Sequence, residues 1–409
     1  MTSTGVPSAQ PRPALGLAGT LARCAVALVA FVATLALLRA VAVRPGGSSI
    51  GGRLDEWSAR PSEHDTLFVG TSHVLRAFVP RTFDAALADL GVEARSLNFG
   101  VQGATLLETR WLVHELLEAR PAVKRVFFEY QWLIPQVDPE NAFNARTVYW
   151  HDFESTRLAM QRARHWGREL GDELAIVERP SERHSVFTLL ERLAPGGERA
   201  ALQHLQHGLT ELATLGRGKD VLKGLAGHGS GRAQRAARND GYLSLEDEVA
   251  ELARAGNTRN SYSARRERFL AQQGEYLASV DRLDAEESVF GDGEWMNSAL
   301  VRVDDLELVQ QIAREVEARG VEFVLVILPS QSCDRPFEER LLAELGAPVL
   351  RYNHPALYPR LYEVEYRFDS GHLSAEGADY FSRLLARDYA ALVRSEGERP
   401  APPAREDQP

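Results

Sequence analysis

The sequence predicts an α/β protein built on an open, doubly wound, five-stranded parallel sheet. Two observations predict it. Five short runs, Thr66–Val69, Arg95–Phe99, Arg125–Tyr130, Glu322–Leu328 and Pro348–Tyr352, are apolar without alternation, the pattern of strands covered on both faces. Helical patterns separate them at Arg81–Leu90, Leu106–Ala119, Asp305–Arg319 and Phe337–Leu345, and Ala375–Val393 follows the last with an apolar stripe. Strands alternating with helices belong to a parallel sheet wrapped by its own crossover connections.

The elements before the first strand concern location. Residues 24–43 form a 20-residue, nearly all-aliphatic run, uncharged from Cys24 to Leu38. That length spans a hydrocarbon core of ~30 Å. Arg12 and Arg23 precede the run, favouring a cytoplasmic 1–23 and an exported remainder. Ala40-Val41-Ala42 has the small-x-small form of a signal-peptide cleavage site, so a cleaved secretion signal stands beside the uncleaved, single-pass inner-membrane anchor that the length favours. Either way the main domain is expected outside the cytoplasm, in the periplasm. The stretch 44–61, with Pro45-Gly46-Gly47-Ser48-Ser49, reads as a linker.

The α/β domain is expected over 62–149 and 300–394. Between them, 150–299 loses the alternation. It is rich in Arg, Glu, Leu and Ala, with helical periodicity at Phe187–Leu193 and Ala200–Leu215, a Gly-rich loop at Gly216–Gly231 and no strong strand. It reads as a helical insertion between the third and fourth strands. Residues 395–409 read as a disordered tail.

Composition removes several function classes. A formal charge of −10 over 409 residues argues against nucleic acid as the partner. Two Cys exclude a disulfide scaffold, and no Cys/His spacing suits zinc. There is neither a phosphate-binding Gly-Lys-Ser/Thr loop nor a dinucleotide Gly-x-Gly-x-x-Gly, so no cofactor is implied.

Three features carry chemistry. The first strand ends in Gly70-Thr71-Ser72-His73, placing Ser72 at the mouth of the sheet, where such folds bind ligands; a helix cap is the plainer role for it. Asp369-Ser370-Gly371-His372 follows the fifth strand, and of the eleven His only His372 has Asp three residues earlier. A serine nucleophile needs such a base, and the base a group fixing its tautomer. Asn98-Phe99-Gly100-Val101-Gln102-Gly103 ends the second strand, where Gly can present an N–H to an oxyanion or simply make a tight turn. His73 and His151 are further substrate-contact candidates beside structural roles, as is Asn98.

These blocks resemble the SGNH (GDSL-like) hydrolases. Gly70-Thr71-Ser72-His73 is similar to the family's nucleophile turn, with Thr for Asp. Asn98 to Gly103 is similar to its second block, and Asp369 with His372 to its last. The resemblance covers about 62–135 and 304–394 and implies a flavodoxin-like sheet. It implies Ser72, Asp369 and His372 as catalytic, and the N–H groups of Ser72 and Gly103 as oxyanion donors. The third block departs: where the family has Gly-x-Asn-Asp, this chain has Phe128-Glu129-Tyr130-Gln131-Trp132. Gln131 can donate through its amide, whereas Glu129 has the wrong charge for an oxyanion hole. The anchor, the Gly-Thr-Ser-His turn and the altered third block look most like the branch that includes the D-alanine-transfer and alginate O-acetylation proteins. That likeness implies a serine esterase or O-acyltransferase acting on acyl, chiefly acetyl, esters of cell-surface polysaccharide. Its partners would be a polysaccharide acceptor, a membrane-bound O-acyltransferase and the membrane itself. A scaffold or binding subunit that keeps the fold without the catalysis is the alternative.

Overall fold

Residue parity along the central strands decides where the core lies. The computed structural model describes residues 17–41, 50, 53–54, 57, 63–119, 122–131, 147, 149–170, 196–212, 239–257, 260–289 and 306–397. Within them β1 (Thr66–Gly70), β2 (Ser96–Gly100), β3 (Arg125–Glu129), β5 (Glu322–Ile327) and β7 (Val349–Arg351) form one sheet in the order β2-β1-β3-β5-β7. All four pairings are parallel, with Thr66 opposite both Ser96 and Arg125. The two remaining strands, β4 (Ser288–Val289) and β6 (Cys333–Asp334), pair antiparallel. Strand β4 was not legible in the sequence, because two residues are too short for a periodicity.

Leu67, Val69, Val126, Phe128 and Leu325 pack on one side of the sheet with helices Leu106–Glu118 and Leu306–Glu317. Their neighbours Phe68, Phe127, Val324 and Val326 pack on the other, with helices Ser72–Ala77, Pro80–Asp89 and Ala375–Gly397. Both faces are covered, which is why the strands read as unbroken apolar runs. The arrangement is compatible with a doubly wound α/β fold. Chain order reverses at β1, which has β2 on one side and β3 on the other. That reversal opens a crevice at the C-terminal ends of β1 and β3.

Apart from β4, the regular structure described in the middle of the chain is helical. Helices Phe153–Leu170 and Gly196–Leu212 pack through Ala163, Ala200 and Ala201, and Leu245–Arg254, Ser261–Ala271 and Gln273–Ala285 follow. Helix Gly196–Leu212 overlaps the one read at 200–215. Phe187–Leu193, Gly216–Gly231, most of the linker and residues 398–409 lie outside the described residues. The final helix runs to Gly397, three residues into the expected tail.

A helix covers Leu17–Val41, over most of the aliphatic run. Leu21, Val26, Val29 and Phe31 are exposed on it, whereas the side chains of 35–41 lie outside the described residues. Among the described residues no helix is long and apolar enough to cross a membrane.

Candidate active site

The C-terminal end of β1 sets the first component. Thr71 caps helix Ser72–Ala77, its hydroxyl accepting from the His73 N–H at 3.1 Å. Ser72 is therefore the first helical residue, and the N–H groups of a first helical turn have no partner within the helix. Gly70 is required before the cap. A Cβ there would collide with the Glu129 carboxylate and with Val74.

The loop before the last helix brings the second component. The Phe368 N–H donates to the His372 carbonyl at 2.9 Å, closing the loop on itself. The Asp369 carboxylate accepts from the N–H groups of Gly371 and His372, each at 2.8 Å, a short-range use typical of Asp in turns. Ser374 then caps the helix by accepting from the Gly377 N–H at 3.1 Å. Arg367, fully buried, donates to the carbonyls of Pro329 and Ser370 and holds the loop over the sheet.

These two components meet. His372 Nε2 lies 2.9 Å from Ser72 Oγ, and His372 Nδ1 lies 2.9 and 3.2 Å from the Asp369 carboxylate oxygens. A carboxylate only accepts, so Nδ1 carries the proton and Nε2 offers its lone pair to the serine hydroxyl. Burial raises the Asp369 carboxyl, but the hydrogen bond and charge of His372, then Arg265 and the Gly371 N–H, more than offset it and hold it well below the usual carboxylate range. Burial pulls His372 below the ordinary imidazole value; Asp369 works upward against it, and His73 and Arg76 add downward pulls. The pair is thus set as charged carboxylate and neutral imidazole, the state in which a base accepts a proton.

Glu129 lies elsewhere than the sequence suggested. It ends β3 and is buried, 3% exposed. Its Oε1 accepts from Thr71 Oγ1 at 3.0 Å and lies 3.1 Å from His73 Nδ1, while its Oε2 accepts from the Thr71 N–H at 2.5 Å. The charge that argued against an oxyanion hole is occupied beneath the nucleophile turn, on the side of Thr71 and His73.

Other expected residues separate into groups. Gly103 follows β2 in an exposed turn with φ +65°, and its N–H donates to no described residue. The Gln131 side-chain NH2 donates to Thr109 at 3.1 Å, so the amide assigned to an oxyanion is engaged on a neighbouring helix. Asn98 is completely buried. Its NH2 group donates to the carbonyls of Val74 and Phe78 at 2.7 and 2.8 Å and its Oδ1 accepts from the Gly100 N–H at 2.9 Å, which leaves it stapling β2 to helix Ser72–Ala77 instead of meeting substrate. His151 is likewise withdrawn, 1% exposed, with Nδ1 2.6 Å from the Thr147 carbonyl and Nε2 2.9 Å from His204 Nδ1. Burial, then His204 and His207, keep it neutral, well below the ordinary imidazole value. His73, a substrate-contact candidate, sets its ring beside His372, centroids 5.2 Å apart.

The middle of the chain also supports the site. Arg265 Nη1 lies 3.3 Å from Asp369 Oδ2, and Arg266 donates to the carbonyls of Arg367 and Phe368 at 2.5 and 3.0 Å. Buried Arg76, on the nucleophile helix, pairs with Glu248 and donates to the Leu243 carbonyl at 2.6 Å. These residues were not legible, because a helix as polar as Ser261–Ala271 reads as a solvated surface. The Arg265-Arg266 pair is the only local signal.

Comparison with protein-family models gave no match, and a search of the curated proteins gave no significant match. The reading below rests on the site's own chemistry: a serine hydroxyl, a neutral imidazole and a charged carboxylate in hydrogen-bonded series at the open end of a parallel sheet.

Proposed function

We propose that the chain is a serine esterase or O-acyltransferase of the SGNH type, acting through an acyl-enzyme on Ser72. The observation that carries this is the 2.9 Å approach of His372 Nε2 to Ser72 Oγ, with Asp369 against Nδ1. Ser72 Oγ attacks the ester carbonyl while His372 takes its proton. The tetrahedral adduct collapses, the leaving alcohol departs with that proton, and Asp369 stabilises the imidazolium between the two events. The oxyanion falls to the N–H groups of Ser72 and Gly103. With Gln131 bound to Thr109, a third donor is missing, and one such donor is worth ~3 kcal/mol of transition-state stabilisation. Modest hydrolysis follows from that.

The exposed apolar side chains of helix Leu17–Val41 support an anchor in the inner membrane, with the α/β domain on the periplasmic side. At that address the substrates would be acyl, chiefly acetyl, esters of cell-surface polysaccharide, with a membrane-bound O-acyltransferase as partner. The rival reading, a scaffold that keeps the fold alone, draws on the engaged Gln131 amide. A fluorophosphonate probe on the full-length chain in detergent separates the two. Labelling that disappears in Ser72→Ala supports the enzyme. Absence of labelling in wild type, together with full complementation of cells by Ser72→Ala, supports the scaffold.

A further inference from the structure

Beside the triad lies a second imidazole–carboxylate pair that the acylation step does not use. His73 Nδ1 is 3.1 Å from Glu129 Oε1. Glu129 also accepts from Thr71 Oγ1 and the Thr71 N–H, so three donors converge on it and the His73 proton sits on Nδ1. Nε2 is left as an acceptor. It bonds to no described residue and lies 3.7 Å from where a Cβ on Gly371 would stand. The His73 side chain is 37% exposed, in contrast to its buried partner. Its ring centroid lies 5.2 Å from that of His372, at an interplanar angle of 58°. The second acceptor nitrogen therefore stands on the side of the catalytic base, where an alcohol must approach the acyl-enzyme.

Resting on the acyl-enzyme reading above, we propose that His73, oriented by Glu129, holds a second hydroxyl of the acceptor and so directs the acyl group to a diol of a saccharide in preference to water. One hydroxyl of the acceptor gives its proton to His372 Nε2 as its oxygen bonds to the acyl carbon. The neighbouring hydroxyl donates to His73 Nε2. When the adduct collapses, the bond from carbon to Ser72 Oγ breaks and His372 returns the proton to that oxygen. The ester has moved from Ser72 to the acceptor, and nothing else is consumed. Water has no second hydroxyl to place against His73, and a simple alcohol has none either.

The test reads partition, which is independent of how fast the acyl-enzyme forms. The full-length chain in detergent is acylated with p-nitrophenyl acetate and offered cellobiose or 1-propanol, and acetylated products are counted against free acetate. Loss of one hydrogen bond predicts that His73→Phe lowers the cellobiose-to-water ratio by about tenfold. The propanol-to-water ratio moves by less than about twofold, because propanol never used that contact. His73→Gln, whose amide can stand near Nε2, recovers to within about threefold of wild type, which a folding defect at this position would not allow. The proposal is overturned if wild type shows no preference for cellobiose, or if both ratios change together in His73→Phe. Wild-type turnover and Ser72 labelling without saccharide preference would remove His73 from this role and leave the acyl-enzyme intact. No p-nitrophenol release and no labelling would remove both.

Discussion

Ser72 Oγ and His372 Nε2 lie 2.9 Å apart although 300 positions separate them in the chain. Nothing local enforces that approach. It follows from the sheet, which puts the C-terminal end of β1 beside the loop that precedes the final helix. Ser72→Ala and His372→Ala should each lower p-nitrophenyl acetate turnover by about 10³-fold or more, and the double variant should lose little beyond either single one. Steady-state rates of the three proteins check this. Additive losses would show that the two side chains act independently.

The pH profile should carry the mark of His372. The active form is the neutral imidazole, so the rate rises with pH along a limb centred below the ordinary value of 6.5. Asp369→Asn removes the upward pull, so the limb should move to lower pH while the plateau falls by about 10²- to 10⁴-fold. A limb centred above 6.5 in wild type would contradict this environment.

Glu129→Ala should act on both folding and rate. It leaves the Thr71 N–H and hydroxyl without their buried acceptor, a cost of about 1–3 kcal/mol. The turn that carries Ser72 loses its brace, so kcat should fall by about tenfold or more even at temperatures where the variant is fully folded. Urea unfolding with kinetics at several temperatures separates the two effects. Glu129→Gln keeps an acceptor for one of the donors and should lie between wild type and Ala in both measurements.

A separate carboxylate sets an acid limit on stability. Burial raises Glu315, but hydrogen bonds from His114, Arg110 and Gln311 more than offset this and hold it at about 2, against an ordinary 4.5. A carboxylate held low contributes stability that is full above its unfolded value and fades as pH falls through the folded one. The contribution from Glu315 should therefore disappear between about pH 4.5 and 2. Glu315→Ala also removes one of the two carboxylates paired with the buried guanidinium of Arg110, 2.7 Å away, and leaves it Glu154 at 3.0 Å, so it should cost about 1–3 kcal/mol at neutral pH. Thermal unfolding of both proteins from pH 7 to pH 3 checks this, the gap between them narrowing toward the acid end.

Crowding at the crossover from β2 gives a purely steric prediction. A Cβ on Gly100 would meet the backbone N–H of Leu75 and, at 2.8 Å, the Thr71 carbonyl. Gly100→Ala should destabilise by about 1–3 kcal/mol or more and displace the nucleophile turn, visible as lost fluorophosphonate labelling in protein that remains folded.

The strands were legible because a sheet covered on both sides writes itself as continuous apolar runs. Val69, Phe99, Phe128 and Leu325 need no tertiary knowledge to be recognised. Asp369 and His372 were legible because their spacing is local. Glu129 was misread because its role depends on β3 lying next to β1, which no window of sequence contains. His73 stood as one substrate-contact candidate among several for a related reason: the place of its ring beside the base depends on a helix starting at Ser72. Asn98 looked like a ligand-facing amide at a strand end, yet the carbonyls of Val74 and Phe78 satisfy it completely.

Arg265 reaches Asp369, and Arg266 grips the two carbonyls that lead into the same turn. The acidic arm of the relay is thus bolted to a segment that contributes nothing to the sheet. An engineer wishing to shrink this protein by trimming its middle third would unfasten those two guanidinium clamps. The smaller molecule would need a replacement brace, such as a hydrophobic plug under Phe368, before its serine could be trusted to fire.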